Sequence, residues 1–149
     1  MPLRSGRRGG SLWAVFSGTP HDTEMRDAKR ILLLEDDSTL LRMLKEHLAE
    51  EGHFVVATED ADEALRYIDK EDWDLVVTDG SLKTCCGEDF AAQASGRRLN
   101  IPFVLITGSA RALKDQTLFR AVLRKPFGRD DFLRFITEAL DTTAGKRAA

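Results

Sequence analysis

The sequence predicts an α/β protein, a doubly wound five-stranded parallel sheet with helices on both faces, and three observations predict it. From Arg30 onward, short aliphatic runs take turns with stretches of helical periodicity. The runs are continuously apolar rather than alternating, as strands covered on both faces are. The length of 149 residues, with 42% hydrophobic and 32% charged content, fits one domain with a core of its own.

Each element has its signal. Ile31 to Leu34 is the first expected strand. Ser38, with Asp37 as an alternative, is the expected cap of a helix whose Leu40, Leu41, Leu44 and Leu48 share a face until Gly52 ends it. Phe54 to Ala57 is the second strand. Asp60 with Glu63 three residues later resembles a capping box, opening a helix with Ala61, Ala64, Leu65 and Ile68 inward. Leu75 to Thr78 is the third strand, followed by a polar loop from Gly80 to Gly87 and a weaker helix around Phe90, Ala91 and Ala94. Phe103 to Thr107 is the fourth strand, and Ala110 to Phe119 the least pronounced helix. Ala121 to Arg124 is the fifth strand, closed by Pro126, before a last helix striped by Phe132, Phe135, Ile136, Ala139 and Leu140. This pattern sets a domain over 30–141, a disordered basic leader over 1–29 with Met25 as an alternative start, and a flexible tail over 142–149.

Composition excludes several classes. The longest aliphatic run, Ile31 to Leu34, is far below the roughly 20 apolar residues of a membrane span, and Leu12 to Phe16 is too short for a signal-peptide core. A cytoplasmic location is expected. Cys85 and Cys86 are adjacent, which gives no metal or redox spacing and leaves two free thiols as the plain expectation. Residues 1–30 hold six Lys/Arg against three Asp/Glu, whereas 31–149 hold sixteen against twenty-two. An acidic domain lacks the clustered positive charge of a nucleic-acid binder, so direct nucleic-acid binding is not expected.

Ligands of doubly wound sheets bind beyond the carboxyl ends of the strands. Those ends carry Glu35 and Asp36 after the first strand, Asp79 after the third, Thr107 after the fourth and Lys125 after the fifth. Carboxylates with open positions suit Mg²⁺, which takes octahedral oxygen ligands. Without metal the acidic trio repels itself, so at least one carboxyl pKa should be raised. Asp79, at the end of an apolar strand and followed by Gly80, is the candidate nucleophile toward phosphorus. Lys125 and the Thr107 hydroxyl are placed to bind phosphoryl oxygens.

Leu33-Leu34-Glu35-Asp36-Asp37, Val76-Val77-Thr78-Asp79, Leu105-Ile106-Thr107-Gly108 and Lys125-Pro126-Phe127 together resemble the receiver domain of two-component response regulators, over about Ile31 to Leu140. The resemblance implies a flavodoxin-like receiver fold with strand order 2-1-3-4-5. It implies that Asp79 is phosphorylated by a histidine kinase or histidine phosphotransfer protein in a phosphorelay. Glu35, Asp36, Asp79 and the Ser81 backbone carbonyl would hold Mg²⁺, and Thr107 and Lys125 the phosphoryl group. Gly87 matches a glycine common in the following loop, and a Lys125-Pro126 bond of this kind is often cis.

Departures from that pattern matter too. Lys83 follows Leu82 where the family often has proline after methionine. Val122 stands where many members carry an aromatic coupled to the threonine, which puts that relay in question. The final residues are too few and too polar for an output domain, so a stand-alone receiver acting on a partner is expected. The partner surface is expected on the Ala110 to Phe119 helix, the fifth strand and the last helix. His21, His47 and His53 are scattered, so the chain receives phosphate rather than originating it. The rivals are a Mg²⁺-dependent phosphohydrolase and a binding module that is never phosphorylated. The first lacks the usual second aspartate two residues after the nucleophile, where Ser81 stands. The full residue set argues against the second.

Overall fold

In the computed structural model, which describes residues 28–98, 100–109 and 113–148, strands and helices alternate along the chain. They are β1 (Arg30–Leu34), α1 (Ser38–Glu50), β2 (Phe54–Thr58), α2 (Ala61–Lys70), β3 (Leu75–Asp79), α3 (Gly87–Arg97), β4 (Phe103–Thr107), β5 (Ala121–Arg124) and α4 (Arg129–Ala148). All pairings are parallel and the order is β2-β1-β3-β4-β5, the doubly wound arrangement expected.

Side chains of a strand point to alternate faces, and the core divides accordingly. Leu32, Leu34, Val76, Phe103 and Leu105 pack with α2 and α3 through Ala64, Ile68, Phe90 and Ala94. Ile31, Leu33, Leu75, Val77, Val104 and Ile106 pack on the other face against Leu44 and Leu48 of α1 and Phe132 and Ile136 of α4. The strands β3 and β4 are buried throughout, whereas the outer strands β2 and β5 are partly open, with Phe54 and Val122 exposed. Edge position explains why β5 alternates where the central strands do not. Among the described residues no helix is long and apolar enough to cross a membrane.

Local signals shift in detail. Of the two expected caps of α1, Asp37 takes the role: its carboxylate accepts from the Thr39 and Leu40 N–H groups at 3.0 and 3.2 Å. Asp60 caps α2 by accepting from the Asp62 N–H, but Glu63 does not close the box, because its carboxylate is bonded to the Thr58 hydroxyl. Gly52 ends α1 at φ 93°, a left-handed conformation that suits glycine.

The expected helix from Ala110 to Phe119 is not formed over its described part. Residues 113–119 contain only a 3₁₀ turn, Gln116–Leu118, and 110–112 lie outside the described residues. The physical reason is a long-range contact together with a local one. Glu88 takes the N–H groups of Lys114 and Asp115, and the Asp115 carboxylate takes that of Thr117, so these donors are diverted from an i to i−4 ladder. At the carboxyl end α4 continues to Ala148, helical where a tail over 142–149 was expected. The basic leader and Met25 lie within 1–27, outside the described residues.

The two layers predict a contrast in stability. Phe132 is fully buried between sheet and α4, and Val122 is 40% exposed on the edge strand. Phe132→Ala should cost about 3–5 kcal/mol in urea denaturation, and Val122→Ala under about 1 kcal/mol. Equal losses would refute the assignment of α4 to the core.

Candidate functional site

Sheet register brings the chemistry together. Leu34 pairs with Thr78 and Thr78 with Leu105, so Glu35, Asp79 and Thr107 emerge at one edge. The Glu35 N–H donates to the Thr58 carbonyl at 3.2 Å, and its carboxylate accepts from the Asp37 N–H at 3.0 Å. Glu35 is 1% exposed and Asp79 5%, while Asp36 is half-buried. Carboxylate oxygens of these three residues lie within 4.8 Å of one another.

The Lys125 N–H donates to the Thr107 carbonyl at 2.8 Å, which fixes the lysine opposite the acids. Its ammonium donates to Glu35 at 3.1 Å and to Asp79 at 3.3 Å. The Lys125-Pro126 bond is cis. Burial pushes the Glu35 carboxyl up to about 7, the Asp79 charge adds to that, and the Asp37 N–H and Lys125 oppose it. The raised carboxyl expected from crowding is therefore present, with burial as its larger cause. Burial works against the Lys125 charge, but Glu35 and Asp79 outweigh it and hold its pKa above the ordinary lysine value.

Two glycines make the geometry possible. A Cβ on Gly87 would stand 2.3 Å from the Asp79 carbonyl oxygen, and the Gly87 N–H donates to the Gly80 carbonyl at 3.0 Å. A Cβ on Gly80 would stand 3.0 Å from the Thr107 hydroxyl oxygen. Ser81 pairs with Cys86 across an antiparallel bridge, and the Leu82 N–H donates to the Cys85 carbonyl at 3.0 Å, so the loop folds back with Lys83 near its tip. The Thr107 hydroxyl accepts from the Ser109 N–H at 3.0 Å.

Asp79, Ser81, Thr107 and Lys125 line one cleft of about 1190 Å³ together with Cys85, Cys86 and Glu88. Both cysteines are free, and burial pushes the Cys85 thiol pKa up, which makes it less reactive at neutral pH. Glu88 was missed by sequence reasoning. Its signal would have been an acidic residue directly after the loop glycine, at a position that turns inward.

Over residues 31–137 the sequence matches the family described as the response regulator receiver domain. The chain belongs to that family. Among curated relatives, the receiver is 31% identical over 119 residues to the transcriptional regulatory protein GlrR of Escherichia coli K12, covering 76% of this chain and 27% of that protein. It is 30% identical over 105 residues to the alkaline phosphatase synthesis transcriptional regulatory protein PhoP of Bacillus subtilis, covering 70% of this chain and 41% of that one. The chain thus spans less than half the length of either. Among solved structures, a CheY-like receiver domain protein from Methanospirillum hungatei superposes with TM-score 0.73 at 29% identity, covering 80% of this chain and 98% of the other. The response regulator TrrA of Thermotoga maritima, in complex with Mg(2+)-BeF, superposes with TM-score 0.68 at 25% identity, covering 74% and 98%.

Glu35 gives the receiver a pH dependence of defined sign. Its folded pKa of about 7 lies above the ordinary 4.5, so between these values the folded state binds more protons than the unfolded. The stabilisation it provides is complete below the unfolded value and is lost as pH rises through the folded one. Urea denaturation with a chelator present, from about pH 5 to about pH 8, should show this decline in the parent and lose it in Glu35→Gln. Identical profiles would remove Glu35 as its source.

Proposed function

We propose that this receiver accepts a phosphoryl group on Asp79 from the phosphohistidine of a histidine kinase or histidine phosphotransfer protein, in a Mg²⁺-dependent phosphorelay. The observation that carries the reading is the Lys125 ammonium bridging Glu35 and Asp79 at the carboxyl edge of the sheet. The lysine stands in for positive charge that the acidic cluster calls for, and the donor set is all oxygen, as Mg²⁺ requires. Glu35, Asp36, Asp79 and the Ser81 backbone carbonyl would hold the ion. When bound, it supplies neutralisation of the carboxylates and of the incoming phosphoryl oxygens.

The chain's own groups account for the transfer. An Asp79 carboxylate oxygen attacks phosphorus, the bond from phosphorus to the imidazole nitrogen breaks, and its electron pair stays on that nitrogen. The product is an acyl phosphate. Lys125 exchanges its contact with Asp79 for a phosphoryl oxygen. The Thr107 hydroxyl accepts from Ser109 through oxygen, which leaves its own proton to donate to another phosphoryl oxygen. With Ser81 two residues after Asp79, no carboxylic acid stands there for repeated hydrolysis of small esters, and the chemistry is that of a cytoplasmic signalling domain acting on itself. Output passes to a protein partner through the 113–119 segment, β5 and the exposed face of α4, without direct binding of nucleic acid.

Incubation with Mg²⁺ and acetyl phosphate, followed by intact mass, should show one added phosphoryl group that depends on Mg²⁺ and is absent in Asp79→Asn. Uptake that survives in Asp79→Asn would overturn the assignment. Rapid multiple turnover of phosphate monoesters would reinstate the hydrolase.

A further inference from the structure

Glu88 stands in the first turn of α3, directly after Gly87, and is buried. Its carboxylate accepts from the backbone N–H of Lys114 at 2.5 Å and from that of Asp115 at 3.3 Å. Charge-assisted bonds of this kind are stronger than neutral ones, and here they join segments 26 residues apart. One end of the attachment is tied to the site, since Gly87 packs on the Asp79 carbonyl and donates to Gly80. The other end lies in the stretch that leaves Thr107 and returns as β5. That stretch also lays Leu113, Leu118 and Phe119 against the apolar cluster shared with Phe90.

We propose that Glu88 restrains phosphoryl acceptance: its carboxylate holds 113–119 against α3 in the phosphate-free protein, and phosphorylation of Asp79 loosens that hold. The proposal rests on the reading of Asp79 as phosphoacceptor. Drawing Thr107 toward a phosphoryl oxygen pulls on Gly108 and Ser109, and through them on the segment that Glu88 anchors. Coupling is reciprocal at equilibrium, so an anchor that phosphorylation releases in turn disfavours the phosphorylated state; because Thr107 is drawn inward as the transfer proceeds, the same anchor also slows acceptance.

The test compares the full chain with Glu88→Gln and Glu88→Ala, using acetyl phosphate and Mg²⁺. Three quantities are read: the rate of mass gain, amide hydrogen exchange at Lys114 and Asp115, and the melting temperature. Phosphorylation of the parent should speed exchange at those two amides by about tenfold or more. In Glu88→Ala they should exchange fast beforehand, and phosphoryl uptake should quicken about fivefold or more, as a lowered barrier requires, even as the melting temperature falls. Glu88→Gln, which keeps one acceptor oxygen, should lie between, and it carries the test if the alanine variant does not fold. A residue that only stabilised the fold would lower the melting temperature without quickening uptake. Uptake at the parent rate or slower in both variants, or parent amides indifferent to phosphorylation, overturns the role of Glu88 alone. A parent that takes up no phosphoryl group overturns the proposed function and the role of Glu88 with it.

Discussion

Three carboxylates crowd one edge of the sheet, two of them buried, and the positive charge that stands among them is Lys125. Its ammonium reaches both Glu35 and Asp79, and the rest of the architecture serves that contact. Glu35 has to follow a strand at the centre of the sheet, because only there does burial deprive its carboxylate of water. Lys125 has to end a strand beyond β4, so that its backbone can be fixed by the Thr107 carbonyl while its side chain crosses the edge. The order β2-β1-β3-β4-β5 meets both conditions. The arrangement leaves Glu35 reluctant to ionise, which is the electrostatic condition under which added positive charge is bound most favourably.

Backbone geometry sets the second constraint. The loop from Gly80 to Gly87 must turn back so tightly that residue 87 lies on the carbonyl of Asp79. Any side chain there would push the start of α3 away from the strand end. Gly80 keeps clear the space beside the Thr107 hydroxyl in the same way. The acidic cluster and the hydroxyl are therefore held by backbone contacts on both sides, which limits the freedom of these groups.

Much of this was legible in the sequence, for reasons that also mark the limit. Runs such as Leu75 to Val77 and Phe103 to Ile106 are apolar on both faces, so their burial, their parallel pairing and the location of Asp79 and Thr107 at their ends follow from local pattern. That Glu35 stands beside Asp79 depends on β1 and β3 being neighbours, which the family resemblance implied and the sheet order shows. The stretch from Leu113 to Phe119 was not legible. Its conformation is decided by Glu88, 26 residues earlier, and a contact of that range leaves no periodic trace. The cap of α1 stayed open between Asp37 and Ser38 because both are able caps, and only the path of the chain out of the acidic cluster selects between them. The true causes of the raised Glu35 carboxyl were also only half visible: crowding of like charges can be read from residue types, whereas the larger effect of burial depends on the packed sheet.

The contrast between the two halves of the domain explains how one fold can be both a rigid site and a movable surface. Where Glu35 and Asp79 sit, strands are buried on both faces, and shifting one means breaking ladder bonds and packing together. Beyond Thr107 the chain is held differently, by the side chains of Glu88 and Asp115 on backbone N–H groups and by a few apolar contacts. Such attachments can be released a few at a time, at a fraction of the cost of opening the sheet. On the proposed function, a change of charge at Asp79 would be transmitted where resistance is lowest, into 113–119 and the half-open strand β5.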